Sequence, residues 1–192
     1  MNDPVFVDTN VLVYVRDARD PLKQRRAADW HDYLWHEQLG RTSMQVLSEL
    51  HVTLRRLAGQ KADLDDIWER VAHYLAWKPQ AVDASLMRLS REIESRWRLS
   101  WWDSMIVAAA QLQGCPTLLT EDLQDGAVYG SVTVRSPFTL ALQAPRAADY
   151  AVPALNAGLR RHRPAGRPAG RSRGSASTQD RKRPQAPRRG SA

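Results

Sequence analysis

Three features of the chain predict an α/β domain with a mainly parallel sheet. The apolar runs Val5-Phe6-Val7 and Thr117-Leu118-Leu119 are too short for helices and suit strands buried on both faces. Between them lie several segments with the apolar spacing of amphipathic helices. A carboxylate stands just past each run, Asp8 after the first and Asp122 after the second. In open parallel sheets ligands bind beyond the carboxyl ends of strands, so these two acids occupy the functional edge of the predicted sheet.

The elements follow in order. After the 5–7 strand comes the turn Asp8-Thr9-Asn10, then Val11-Leu12-Val13-Tyr14 as a short helix capped by Thr9 or Asn10. The stretch Asp17 to Asp20 and Pro21 mark a loop. Residues 22–39 form a helix with Trp30, Tyr33 and Leu34 toward the core. Thr42 or Ser43 caps a helix over 44–58, whose stripe is Val46, Leu47, Leu50, Leu54 and Leu57, and Gly59 ends it. Residues 63–75 give another helix through Leu64, Ile67, Val71 and Leu75. A further helix over 84–97 uses Leu86, Leu89, Ile93 and Trp97. Ser100 opens a helix that runs to Leu112 and stops at Gly114 and Pro116; its Ala108-Ala109-Ala110 run is flat enough to lie on a sheet. Strands are predicted at 117–119 and 131–134.

Charge divides the chain. Residues 1–155 carry 17 Lys/Arg and 20 Asp/Glu, a net of −3, whereas residues 156–192 carry 11 Lys/Arg and Asp180 alone, a net of +10. The basic isoelectric point therefore belongs to the tail. Residues 157–192 lack aromatic residues, Val and Ile, and are rich in Arg, Pro, Gly and Ser, a composition expected to stay disordered. The expected organisation is a domain over 1–143, a linker over 144–156 and the tail over 157–192. One cysteine, Cys115, excludes an intramolecular disulfide and a cysteine metal cluster and fits a reducing cytoplasm. No apolar run reaches the ~18 residues of a membrane span, and no export signal opens the chain, so a cytoplasmic protein without a membrane segment is expected.

Four acids, Asp8, Glu49, Asp103 and Asp122, lie beside core-forming segments. Carboxylates gathered there repel one another unless a cation collects them, so a divalent-metal site for phosphoryl chemistry is the functional expectation. Each also has an ordinary explanation. Asp8 suits a turn or helix cap, with Thr9 and Asn10 holding the turn and orienting its carboxylate. Glu49 suits a solvated helix face at the edge of the Val46/Leu50 stripe. Asp103 completes a capping box with Ser100. Asp122 suits a polar loop, and Glu121 and Asp125 are its neighbours and potential substitutes.

Taken together, four segments resemble the PIN-domain family of metal-dependent nucleases across roughly residues 4–140. They are Val-Phe-Val-Asp-Thr-Asn-Val-Leu at 5–12, Gln-Val-Leu-Ser-Glu-Leu at 45–50, Leu-Ser-Trp-Trp-Asp-Ser at 99–104 through the alanine run, and Leu-Leu-Thr-Glu-Asp-Leu-Gln-Asp-Gly at 118–126. The closing Arg-Ser-Pro-Phe at 135–138 agrees, and the chain is most similar to the VapC-type toxins of toxin–antitoxin pairs. The resemblance implies a three-layer α/β/α domain, Mg²⁺ or Mn²⁺ held by Asp8, Glu49, Asp103 and Asp122, and endonucleolytic cleavage of RNA. It aligns Thr120 with the hydroxyl residue beside the last acid, and it implies a homodimer and an antitoxin partner. The basic tail departs from the family pattern. On this basis Asp8 and Asp103 are expected to contact metal directly, with Glu49 and Asp122 completing the site directly or through water.

Two rival readings remain at this level. An aspartate-nucleophile phosphatase would use Asp8 covalently, but the position two residues on is Asn10 where that chemistry has an acid. A non-catalytic RNA-binding or regulatory module is the other, since fold alone does not fix function. Zinc chemistry is not favoured: His31 and His36 are spaced by five with no companion acid motif. Arg55, Arg56, Arg96 and Arg98 are candidate phosphate contacts, Trp101 or Trp102 a candidate base-stacking surface, and the tail a source of non-specific nucleic-acid affinity.

Overall fold

The computed structural model describes residues 3–140. The expected linker and tail, with the boundary at 143, lie outside the described residues. The order is β1 (Val5–Val7), α1 (Thr9–Tyr14), α2 (Pro21–His36), β2 (Gly40–Arg41), α3 (Met44–Ala58), α4 (Leu64–His73), α5 (Ala84–Trp97), α6 (Trp101–Leu112), β3 (Thr117–Leu119), β4 (Val128–Tyr129) and β5 (Val132–Arg135). Short 3-10 turns follow α3 and α4.

The five strands are ordered β2-β1-β3-β5-β4. β1 pairs in parallel with β2 and β3, β3 in parallel with β5, and only β4 runs antiparallel. The chain leaves β1 toward β2 on one side, then crosses back over β1 to reach β3 on the other. Helices α1 to α4 pack on one another, with the ring of Trp35 in α2 lying 4.1 Å from that of His73 in α4, while α5 and α6 pair with each other and α6 packs on β3 and β5. The reversal of direction between the two connections creates a switch point between β1 and β3, the place where open α/β sheets bind ligands.

The core explains why the central strands carry no polar alternation. All residues of β1 and β3 are buried, as are Val132 and Val134 of β5. The α6 face from Met105 to Ala110 packs into the same core, its alanines allowing close approach. Cys115, at the α6–β3 connection, is buried, and burial pushes its thiol up to about 12.

Local chemistry sets the helix ends. Ser43, Asp63, Asp83 and Ser100 each accept backbone N–H bonds at the starts of α3, α4, α5 and α6. Asp20 does so for α2, where Pro21 occupies the first turn. Three expectations need correction. The cap of α1 is Asp8, not Thr9 or Asn10, because both of those side chains are engaged with acids. Leu57, Leu64 and Leu75, expected in the core, are exposed, since the apolar periodicity runs past the part of each helix that has a packing partner. The sheet also contains β2 and β4 in addition to the expected strands; at two residues each they are too short to show a period.

Gly40 in β2 is required by close packing. A Cβ there would lie 2.4 Å from the ring of Trp77, which is itself buried. Gly40→Ala is therefore expected to destabilise the domain by about 2–3 kcal/mol through overpacking, read by urea unfolding. An unchanged midpoint would show that the Trp77 ring moves aside freely.

Among the described residues, no helix is long and apolar enough to cross a membrane.

Candidate active site

The switch point is built around Asp8. Its backbone continues the sheet, with Asp8 N–H donating to the Leu119 carbonyl, and Thr120 N–H donating to that of Arg135. The two strand ends thus fix the stubs of Asp8 and Thr120 side by side. Thr120 is fully buried and Asp8 is 8% exposed.

The Asp8 carboxylate is held by neutral donors alone. Oδ1 accepts from Thr9 N at 2.6 Å; Oδ2 accepts from Thr120 Oγ1 at 2.7 Å and lies 3.2 Å from Asn10 Nδ2. Burial, first, and then the nearby charges of Asp122 and Glu49 raise its pKa from 3.8 to about 6, against the opposing pull of the Thr120 and Thr9 hydrogen bonds.

Asn10 joins the first acid to the last. Its Nδ2 also lies 2.9 Å from Thr120 Oγ1 and 2.9 Å from Asp122 Oδ2. Three acceptor oxygens thus surround an amide nitrogen with two hydrogens, so one is always left over. The opposite amide orientation would set an oxygen against two carboxylates. The Asn10 carbonyl oxygen is buried with no partner among the described residues, so the bonds of this side chain are those its amide nitrogen donates. Asp122 N–H donates to Thr120 Oγ1 at 3.1 Å, closing the turn.

Glu49 enters from α3. Its Oε2 accepts from Thr9 Oγ1 at 2.9 Å and its Oε1 from Gln45 Nε2 at 3.0 Å. Gln45 sits one helical turn earlier on the same face, is buried, and like Asn10 leaves its carbonyl oxygen unpartnered. Sequence reasoning did not single out Gln45, although its i, i+4 spacing from Glu49 was visible.

Asp103 stands apart in bonding. It lies at the N-terminal turn of α6, where its N–H donates to Ser100 Oγ at 3.1 Å and its Oδ2 accepts from the same hydroxyl at 2.7 Å. Among the described residues it makes no hydrogen bond to Asp8, Glu49 or Asp122, and no compact group of three metal-ligating side chains is present. The structure thus links Asp8, Glu49 and Asp122 through Thr9, Asn10 and Thr120, and does not link Asp103 to them.

The substitutes for the fourth acid are otherwise employed. Glu121 is ion-paired with Lys23. Asp125 accepts from Ser136 N and Thr139 Oγ1 and lies 3.4 Å from Arg135. Its Ser136 backbone bond, above all, holds its carboxyl below the usual range. By contrast Asp8, Glu49, Asp103 and Asp122 have no basic partner among the described residues.

Carboxylates left without counter-charge, oriented by neutral donors, suit a hard divalent cation in chemical type. The candidate phosphate contacts Arg55, Arg56 and Arg96 lie in the last turns of α3 and α5, and Arg98 caps α5. Trp102, next to Asp103, is 62% exposed.

The model of the PIN domain family matches residues 5–124, and the chain belongs to that family. PIN domains are generally nucleases that work with divalent metal ions. A comparison with curated proteins returns no match.

Proposed function

We propose that this chain is a Mg²⁺-dependent endoribonuclease, with Mn²⁺ able to substitute, whose site is formed by Asp8, Glu49, Asp103 and Asp122. The observation that carries the proposal is the contrast in pairing: these acids lack basic partners, whereas both neighbouring substitutes have one. A bound divalent cation would supply an activated water and neutralise charge on the scissile phosphate.

The chain's own residues set up that chemistry. Asp8 supplies the central, least solvated carboxylate, with Thr9, Asn10 and Thr120 fixing its orientation. Asp122 is steered by Asn10, and Glu49 by Thr9 and Gln45. Asp103 projects from the N-terminal turn of α6, where the Ser100 hydroxyl orients its carboxylate. Orientation by second partners of this kind keeps ligands ready to bind without a large rearrangement. The similarity of the four segments to VapC-type toxins supports extending the proposal to a cytoplasmic toxin that dimerises and is restrained by an antitoxin. The basic composition of the tail supports a role in holding RNA non-specifically.

The separation of Asp103 from the hydrogen-bonded acids favours a second reading, an RNA-binding module without catalysis. The test is cleavage of a panel of tRNA, rRNA and mRNA fragments by the full chain with Mg²⁺, Mn²⁺ or EDTA. Cuts are expected with either metal and none in EDTA. Cleavage that persists in EDTA would remove metal from the mechanism. RNA bound but uncut under every condition would favour the second reading.

A further inference from the structure

Thr120, Glu121 and Asp122 are consecutive but point their side chains to two sides. Thr120 and Asp122 both accept from Asn10, beside Asp8. Glu121 instead reaches Lys23, near the start of α2. The Lys23 ammonium also lies 3.1 Å from the Tyr14 hydroxyl, 4.6 Å from the centre of the Tyr14 ring and 5.0 Å from that of Phe138. The two rings meet edge to face at 5.3 Å. One cation, on α2, is therefore contacted by a carboxylate, a phenol and two aromatic rings, drawn from α1, the turn after β3 and the segment after β5. Asp125 fixes that last segment through Ser136 and Thr139.

A lone surface ion pair contributes little. This one differs because both side chains are part-buried and the ring contacts of the ammonium add cation–π attraction. Its location also matters. Tyr14 lies one helical turn after Asn10, so the clamp grips the same short helix whose other end steers Asp8 and Asp122.

We propose that Lys23 is a positioning residue: by holding Glu121 on the α2 side, it selects Asp122 as the acid that the turn presents to the metal site. Without that hold, two adjacent carboxylates share one turn with no counter-charge. Glu121 is then free to compete for Asn10 and for the cation, and Asp122 loses its fixed place. This inference rests on the proposed metal site.

The experiment measures Mn²⁺ affinity of the full chain by electron paramagnetic resonance, with RNA cleavage alongside. The set is wild type, Lys23→Met, Lys23→Arg, Glu121→Gln and the Lys23→Met/Glu121→Gln double variant. Lys23→Met is expected to weaken Mn²⁺ binding by about tenfold, the scale on which partners of metal ligands act. Lys23→Arg, whose guanidinium still pairs with Glu121 and stacks on the rings, is expected to stay within about threefold of wild type. The double variant is expected to recover much of the loss, because the competing charge is gone; a merely structural role for Lys23 gives no such recovery. Glu121→Gln alone is expected to keep Mn²⁺ binding, and this arm remains decisive if Lys23→Met does not fold. Wild-type affinity in Lys23→Met, or loss of binding in Glu121→Gln, overturns the clamp while leaving the metal site standing. Absence of Mn²⁺ binding by wild type overturns the metal site and the clamp with it.

Discussion

Replacing Asp8 with asparagine is expected to abolish RNA cleavage, by about a thousandfold or more, because the site acts as a unit and its central carboxylate has no understudy. The fold should survive. Asparagine is as good a helix cap as aspartate, so α1 keeps its start. Metal-free protein should become more stable near neutral pH, because the substitution removes a buried charge that only neutral groups compensate. The gain is expected to be about 1–2 kcal/mol, smaller than the full cost of the charge, since the new amide faces the Asn10 amide, donor to donor. Parallel cleavage assays and urea unfolding in EDTA check both halves. An active Asp8→Asn enzyme would remove Asp8 from the mechanism. An inactive and much less stable variant would recast Asp8 as structural.

The second large effect is in the pH dependence of metal-free stability. Asp8 is raised to about 6 in the folded protein from an ordinary value of 3.8. Below about pH 4 the carboxyl is protonated in both folded and unfolded chains and costs nothing. Between about 4 and 6 the unfolded chain gives up this proton while the folded one keeps it. Stability is therefore lost as pH rises through this window, by about 3 kcal/mol once Asp8 is ionised in both states. Other groups act with the opposite sign. His31, lowered chiefly by burial, favours the folded state as pH rises past its range, and Asp17, held to about 2 by Arg19, does so in acid. The informative quantity is thus wild type minus Asp8→Asn, from urea unfolding between pH 4 and 7.5. That difference should grow with pH in EDTA and, on the proposed reading that Mg²⁺ binds only the folded site, shrink in saturating Mg²⁺. Parallel pH profiles in the two proteins would show that Asp8 carries no buried-charge cost.

Much of this architecture could be read directly from residue patterns. Val5 to Val7 and Thr117 to Leu119 are continuous apolar runs because both their faces are covered. Ser43 and Ser100 announced their helices through side chains that can bond to the backbone three residues on. These signals are local. What escaped the sequence is non-local or too short. β2 and β4 exist because a neighbouring strand offers hydrogen bonds, not because two residues prefer to be extended. Leu57, Leu64 and Leu75 keep the helical period, but period reports a face and not whether anything covers it. The four acids were identifiable as residue types in order; their relationships were not. That Asn10 serves Asp8 and Asp122 together, or that Lys23 distinguishes Glu121 from Asp122, depends on contacts across about a hundred positions that no spacing rule encodes.

The position of β1 has a consequence for how this chain comes into being. β1 lies inside the sheet, yet its partner β3 is made only later, beginning at Thr117. Asp8 and its hydroxyl partner Thr120 are 112 residues apart in sequence, a separation that makes their meeting a late, slow event. An incomplete polypeptide that stops short of Thr117 lacks the strand and turn that enclose Asp8 and supply Asp122. On the proposed reading, a nascent chain cannot cut RNA until the turn after β3 has been made and brought beside Asp8.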